Sequence, residues 1–527
     1  MAFVLLLLSA VILWFCYKYA YANENFFKGR GVKFIKPLPF FGSSFGFITN
    51  KENLISFVNK ICKNFRNEKV FGVFDFRTPI LVIRDPEMCK NLAIKEFDHF
   101  TDHLNIIPDD FEPMFSSSLF LLGGHKWREM RTTLSPAFTG SKMRLMCDFV
   151  VEICEQTVAY VKKEAQEAPK PNEVRELFTR VAADMIGTCA FGIKVDSLND
   201  KKNMFFESAN AMFDPASFSL TLKVIAARTV PWLLKLLRIN LFDEKYRGFL
   251  KNLVLENMKT RQEKNIVRPD MINLLIEAQK GTLENASSEY DSAGFATVEE
   301  AQMKPVAKKT SWTEDEIVAQ CFIFFLAGFD TSSTILSFAA YEIARYPQVQ
   351  EKLYQEAKMI RDELKGKPIK YETLQKMKYL DMVVSETLRM WPVAPFVDRM
   401  CTKEFTMEYD KGKKYTFHKG ETLWIPIGDF HFNPEYFPDP NKFDPERFSD
   451  ENKYLINPNT YLPFGIGPRN CIGSRFALMQ IKSLLYSLIV NFHFDLSDKT
   501  EVPLVLAGSA VGLKARSGVW IKFRLRE

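Results

Sequence analysis

Apolar positions are unevenly spaced along the chain, and the spacing divides it into stretches of different character. Residues 2–17 carry no charge and are almost wholly apolar; Lys18 interrupts the run and residues 19–22 extend it. A helix needs roughly 17 apolar residues to span a bilayer, so the stretch predicts a membrane anchor over 1–22. Ala20-Tyr21-Ala22 also resembles a cleavage site, which makes a removed signal peptide the rival reading. No basic residue precedes the apolar run, and Lys18, Lys28, Arg30, Lys33 and Lys36 follow it. That asymmetry favours an uncleaved anchor with the body on the cytosolic side. Residues 23–42, basic and ending in Lys36-Pro37-Leu38-Pro39-Phe40-Phe41-Gly42, read as a stiff linker. The remainder, 43–527, reads as one large domain, because no interior stretch has linker composition.

Within that domain, Phe71 to Phe76 and Ile80 to Arg84 are β-rich runs around Arg77-Thr78-Pro79, a predicted hairpin. From about Asp85 to Tyr379 the dominant period is helical. The polar stretch 281–309 breaks it and is expected to be a mobile surface loop. Thr313 and Glu316 then form a capping-box pattern, opening a helix that meets no proline before Pro347. At about 1.5 Å per residue it is long enough to cross the domain. A second helix is expected to end near Arg389, ahead of Trp391-Pro392, and a last one runs from about Arg475 to Val490. Residues 393–470 are rich in Pro, Gly and Asn, and Val502 to Phe523 read as strands. The predicted class is mostly α with a small β region.

Composition narrows the function classes. The 527 residues are 47% hydrophobic and include 48 Phe, enough to bury a large core and a cofactor. A net charge of +6 without a long Lys/Arg tract gives no nucleic-acid footprint. The nine Cys are scattered with no CxxC pair, which argues against a zinc ribbon or a thioredoxin-type site. Such sparse Cys fit a reducing compartment.

One cysteine stands out by its surroundings. Cys471 lies in Phe464-Gly465-Ile466-Gly467-Pro468-Arg469-Asn470-Cys471-Ile472-Gly473. The glycines let backbone approach something large and flat, and the helix that follows would favour a thiolate. Taken alone, Cys471 is an ordinary turn cysteine. The stretch, however, resembles the haem-binding loop of the cytochrome P-450 superfamily, Phe-x-x-Gly-x-Arg-x-Cys-x-Gly, at every fixed position. The resemblance implies that fold, with haem b between the long helix and the Cys471 loop with its following helix. It makes Cys471 the axial ligand of the iron, and Phe464 and Arg469 part of the cofactor site.

Further motifs follow in the family's order. Ala327-Gly328-Phe329-Asp330-Thr331-Ser332 matches the oxygen-activation segment. Ala327 and Gly328 would leave room for the ring and a diatomic ligand, while Asp330 and Thr331 would supply protons. Glu386 and Arg389, three apart on one helix face, match Glu-x-x-Arg, and Arg447 in Pro445-Glu446-Arg447-Phe448 would complete a structural triad. Trp127, Arg131 and Arg399 match contacts to the haem propionates. His431 is expected to make a loop hydrogen bond, with a second axial ligand as the alternative.

No flavin or nicotinamide motif is visible, so the resemblance implies electrons from NADPH through NADPH–cytochrome P-450 reductase, with cytochrome b5 as an optional second donor. Lys126, Arg128, Lys142 and Arg144 are candidate docking charges. Phe115, Phe120, Phe213, Phe325, Phe329, Val393, Phe396 and Val511 are the candidate substrate lining, suited to lipophilic molecules. Thr229 to Phe242 alternates apolar and basic residues and is expected to meet membrane lipid. The Cys471 loop, the Phe324–Asp330 run and the interior loop look most like insect microsomal members of family nine. The reading is a monooxygenase at the endoplasmic reticulum membrane, facing the cytosol, that inserts oxygen from O2 into xenobiotics such as plant allelochemicals and insecticides. Oxidation of an endogenous hormone or lipid, a reductase-independent isomerase and a haem carrier are the alternatives.

Overall fold

The structure, a computed structural model, describes positions 3, 14, 17, 18 and 21 and then residues 23–526, apart from 50, 109, 168–169, 213–216, 281–293, 298–311 and 510–511. The expected anchor therefore falls largely outside the described residues, as do most of the 281–309 stretch, Phe213 and Val511.

The chain forms a mostly helical body with a small β region at one side. The hairpin is β1 (Val70–Asp75) and β2 (Thr78–Ile83), antiparallel from Val70↔Ile83 to Asp75↔Thr78. The turn is shorter than the sequence suggested: Thr78 and Pro79 belong to β2. Pro79 is tolerated because the pairing of β2 to its other neighbour starts only at Ile80, so no ladder donor is lost there.

Three helices follow that matter for the site: α1 (Gly124–Leu134), α2 (Val174–Cys189) and α3 (Glu314–Arg345). The side chain of Thr313 accepts from Glu316 N–H while Glu316 reaches back to the cap, so the expected capping box opens α3. Its 32 residues span about 48 Å, and nearly all face protein from Ile317 to Ile343. This helix is apolar enough to cross a membrane by composition, but here it is the core of the body.

Next come α4 (Lys378–Met390), β3 (Val397–Met400), β4 (Thr422–Ile425) and α5 (Ser474–Asn491). The four-stranded sheet has the order β1-β2-β4-β3, with β2 and β4 parallel. Antiparallel β3 places Arg399 opposite Leu423. The tail is less regular than expected. Trp520–Leu525 pairs with Phe492–Leu496, whereas 502–515 contributes among its described residues only the isolated bridges Leu506↔Ala515 and Ser509↔Asn53. Pro503, Gly508 and Gly512 explain the break, since proline lacks a donor and glycine weakens a strand.

Candidate active site

Cys471 lies just before α5. Gly465 and Gly467 have φ of +81° and +73°, and a Cβ at Gly467 would stand 2.1 Å from the carbonyl oxygen of Ala93. Only glycine fits that approach. The loop then folds back, and the N–H of Cys471 donates to the oxygen of half-buried Phe464 at 2.9 Å. Among the eight described cysteines seven are buried, and Cys471 is the exposed one. Its sulfur is nevertheless closely surrounded by protein atoms. Burial pushes the thiol up, against the Gly473 N–H and the charge of Arg131, which pull it down. The dipole argument from sequence identified the opposing forces, but desolvation wins. A coordinated metal ion reverses that balance, because a coordinating thiol is deprotonated outright.

Beside the loop stands a cluster of buried cations. Arg131 donates to the carbonyl and the side-chain oxygen of Asn470, at 3.0 and 2.6 Å. Arg399 donates to the Asp398 and Ile466 carbonyls, at 2.7 and 2.9 Å. Arg469 donates to the carbonyls of Thr101 and Leu122 and lies 4.1 Å from the buried Trp127 ring. Burial drives Arg399 down to about 10. It drives Arg469 down to about 9, helped by the charges of Arg399 and Arg131.

Among the described residues, Asp102 and Asp398 stand near Arg399 and Arg469. Asp102 is 3.7 Å from Arg469 and also caps α1 through the Gly124 N–H. Asp398 is already engaged by His103 at 2.9 Å and by the Leu104 N–H. Nε of Arg399 is buried with no partner among the described residues. Buried charge without compensation is costly, so the cluster calls for further anionic groups. Asp102, His103 and Asp398 carry no local sequence signal; only the folded chain brings them to Arg469, as it brings Asn470 to Arg131.

On α3, Ala327 is exposed in a stretch, 317–343, that is otherwise buried or half-buried, and half-buried Thr331 donates to the Ala327 carbonyl at 2.7 Å. Gly328 and Asp330 face elsewhere. A Cβ at Gly328 would lie 2.4 Å from Cδ1 of Ile186, so this glycine serves close packing of α3 on α2 and not the open side. Asp330 is buried and pairs with Arg175, which also donates to Thr334 Oγ1 at 2.8 Å and to the Leu513 carbonyl at 2.9 Å. Nothing in the sequence pointed to Arg175, which is distant along the chain.

The charges below the loop meet as the sequence suggested. Arg389 donates to both carboxylate oxygens of Glu386, at 2.7 and 2.9 Å, and to the His431 carbonyl at 2.8 Å. Arg447 lies 3.4 Å from Glu386. Both ring nitrogens of buried His431 are taken: Nδ1 by the Arg389 carbonyl at 3.0 Å, and Nε2 by the Leu462 N–H at 3.1 Å. Burial lowers its pKa to about 3. His431 is therefore a loop anchor, and the axial-ligand alternative falls.

The aromatic candidates separate. Phe115 is half-buried, with the rings of Phe120, Phe242 and Phe322 at 6.2, 6.1 and 6.4 Å. Phe120 is exposed, and Val393 is half-buried against the main core. Phe325 and Phe329 are fully buried among Phe191, Phe205 and Phe206, so they are core. Phe396 is half-buried and stacks on Trp424 at 4.2 Å, packed against the core cluster under the sheet. For Phe325 and Phe329 the register of α3 decided which face the ring took.

An exposed soft ligand, an exposed alanine on the long helix and a cluster of three buried guanidiniums fit a flat iron-bearing macrocycle with carboxylate arms. The family model described as cytochrome P450 matches residues 32–521. A protein of Drosophila melanogaster, probable cytochrome P450 9f2, is 40% identical over 514 residues, covering 96% of each chain. Cytochrome P450 9e2 of Blattella germanica is 38% identical over 515 residues, 95% of this chain and 93% of that one. Cytochrome P450 6j1 of the same species is 33% identical over 505 residues, 96% and 94%.

Proposed function

The chain belongs to the cytochrome P450 family of haem monooxygenases, and we propose that it is a membrane-anchored member oxidising lipophilic xenobiotics with electrons from a separate flavoprotein. The observation that carries the active-site part of this reading is the pairing of Cys471 with the Arg131–Arg399–Arg469 cluster. Haem b supplies an iron centre at which O2 is reduced by stages. Cys471 would hold the iron, and Arg131, Arg399 and Arg469 with Trp127 would hold the propionates. Phe464 and Ala327 would border the group. The Glu386–Arg389–Arg447 triad keeps the loop's foundation rigid.

Thr331 holds a proton donor on the open side of α3, tied to the Ala327 carbonyl. Asp330, on the far side of α3 and paired with Arg175, passes protons on toward Thr331 in this reading. Proton delivery by a positioned group typically contributes 10²–10⁴-fold, an order-of-magnitude range. With reductase and NADPH, Thr331→Ala is therefore expected to lower product formed per NADPH consumed by about tenfold or more. Unchanged coupling in the variant would remove Thr331 from the relay.

The donor is NADPH–cytochrome P-450 reductase, with cytochrome b5 as a second one. Of the candidate docking charges, Arg128 and Arg144 are already paired with Asp98 and Glu372, each at 2.7 Å, while Lys126 stands exposed. The substrate side is framed by Phe115, Phe120, Phe242 and Phe322, an apolar aromatic wall suited to hydrophobic molecules.

Membrane contact extends beyond the anchor in this reading. Trp232, Leu236 and Leu237 are 64%, 72% and 57% exposed on and just after the short helix Pro231–Leu236. Leu38, Phe40 and Phe41 are exposed on the linker. Arg228 pairs with Asp75 at 2.5 Å, and Gly42 bridges the same Asp75, so both apolar groups lie at one end of β1. In vesicles of brominated phosphatidylcholine, Trp232→Phe is expected to lose a measurable share of the lipid quenching of tryptophan emission. Equal quenching in variant and wild type would place this patch outside the lipid and confine membrane contact to the anchor. The endoplasmic reticulum and detoxification of plant compounds and insecticides complete the reading.

A further inference from the structure

The stretch between the helix Met271–Gln279 and α3 contains one described island, residues 294–297. It is packed against protein. Ala296 is 3% exposed, and the ring of Phe295 lies 5.2 Å from Phe448 and 5.5 Å from Tyr461. The N–H of Phe295 donates to Oδ2 of Asp381 at 2.8 Å. The other oxygen of that carboxylate meets Nζ of Lys482 at 2.7 Å, and the lysine side chain is fully buried. Gly294 sits directly over this ion pair: a Cβ there would lie 2.0 Å from Asp381 Oδ1 and 2.7 Å from Lys482 Nζ. Its φ of +133° is also one that side chains rarely adopt.

The ion pair joins two elements of the site. Asp381 belongs to α4, which carries Glu386 and Arg389, and Lys482 to α5, which follows Cys471. A buried charge pair holds only while it stays paired and hydrogen-bonded, and the island supplies both a cover and a donor. From Phe295 a chain of contacts leads to the Cys471 loop. The Tyr461 ring lies 5.6 Å from His431, and its hydroxyl donates to the Ser385 carbonyl at 2.9 Å. His431 Nε2 accepts the Leu462 N–H, the Leu462 carbonyl accepts the Gly465 N–H at 3.0 Å, and the Phe464 carbonyl accepts the Cys471 N–H.

We infer that Gly294 and Phe295 form a clasp that closes over the Lys482–Asp381 pair and seats the Tyr461–Gly465 segment on which the position of Cys471 depends. Phe295 is a positioning residue, touching neither Cys471 nor any reacting group. The plain alternative is a phenylalanine that adds packing energy to the whole body without favouring any part of it.

Amide hydrogen exchange on the full-length holoprotein separates the two. In Phe295→Ala, exchange across 461–471 is expected to rise about tenfold while the β1–β2 hairpin is unchanged, because local opening is governed by local contacts. Phe295→Leu keeps an apolar side chain and is expected to restore most of the protection. Gly294→Ala, with the ring intact, is expected to loosen the same segment by displacing the backbone from the ion pair. The clasp is overturned if protection of 461–471 is unchanged in Phe295→Ala, or if it falls equally in the hairpin. It is judged on protection alone, so its failure leaves the haem-thiolate reading untouched.

Discussion

Arg389→Ala is expected to leave little or no folded holoprotein. Both partners of the Glu386–Arg389 pair are fully buried. Arg389 also satisfies the carbonyls of His431 and Lys442, and Glu386 accepts the Asp444 N–H. Removing the guanidinium strands a carboxylate whose remaining cation, Arg447, stands 3.4 Å away. Breaking a buried pair from one side costs about 3–5 kcal/mol, a large part of the roughly 5–15 kcal/mol that holds a typical domain folded. Arg389→Lys is expected to rescue poorly, since an ammonium cannot reproduce the two-pronged contact with Glu386. Urea unfolding of whatever soluble protein is recovered checks this. A wild-type midpoint in Arg389→Ala would refute the structural role of the triad.

Cys471→Ala is expected to do the opposite: spare the fold and abolish the chemistry. The Cys471 side chain is small and exposed, and its loop is held by backbone bonds that alanine keeps. Substitutions away from packing and polar networks usually stay within about 0.5 kcal/mol, so the apoprotein is expected to unfold at nearly the wild-type midpoint. Even outer-shell changes around a metal cost about 10–100-fold in affinity or activity, so loss of the ligand itself is expected to lower oxidation of any substrate by at least about 100-fold. The pair of variants thus divides the site. The triad below the loop is paid for in stability, the thiol above it in activity.

How much of this was legible in the sequence follows from the range of each interaction. The capping box of α3 and the hairpin depend on neighbours within a few residues, and they were readable. The Cys471 loop was readable because its glycines, arginine and cysteine fall within ten residues. Arg175, Asp102, His103 and Asp398 were not, because each acquires its role from a partner on another element. Gly328 illustrates a subtler failure: its presence in the helix was noticed, but which way a missing Cβ would point depends on the rotation of α3, and it points at Ile186. Phe325, Phe329 and Phe396 went the same way, since hydrophobic type does not distinguish core from pocket lining. The thiol's ionisation needed a balance of opposing terms, and only the burial seen in the folded loop decided it.

The 281–309 stretch carries the same lesson. Its polarity suggested a surface loop, and the composition gave no weight to one Gly-Phe pair. In the fold that pair covers the Lys482–Asp381 ion pair between α4 and α5.

The most direct test of the central claim is the absorbance spectrum of the reduced, carbon monoxide-bound protein, recorded for the wild type and for Cys471→Ala after reconstitution with haem. The account predicts a thiolate-type band in the wild type and none in the variant. A haem-saturated wild type without that band, or a variant that retains it, would contradict the assignment of Cys471 as the ligand.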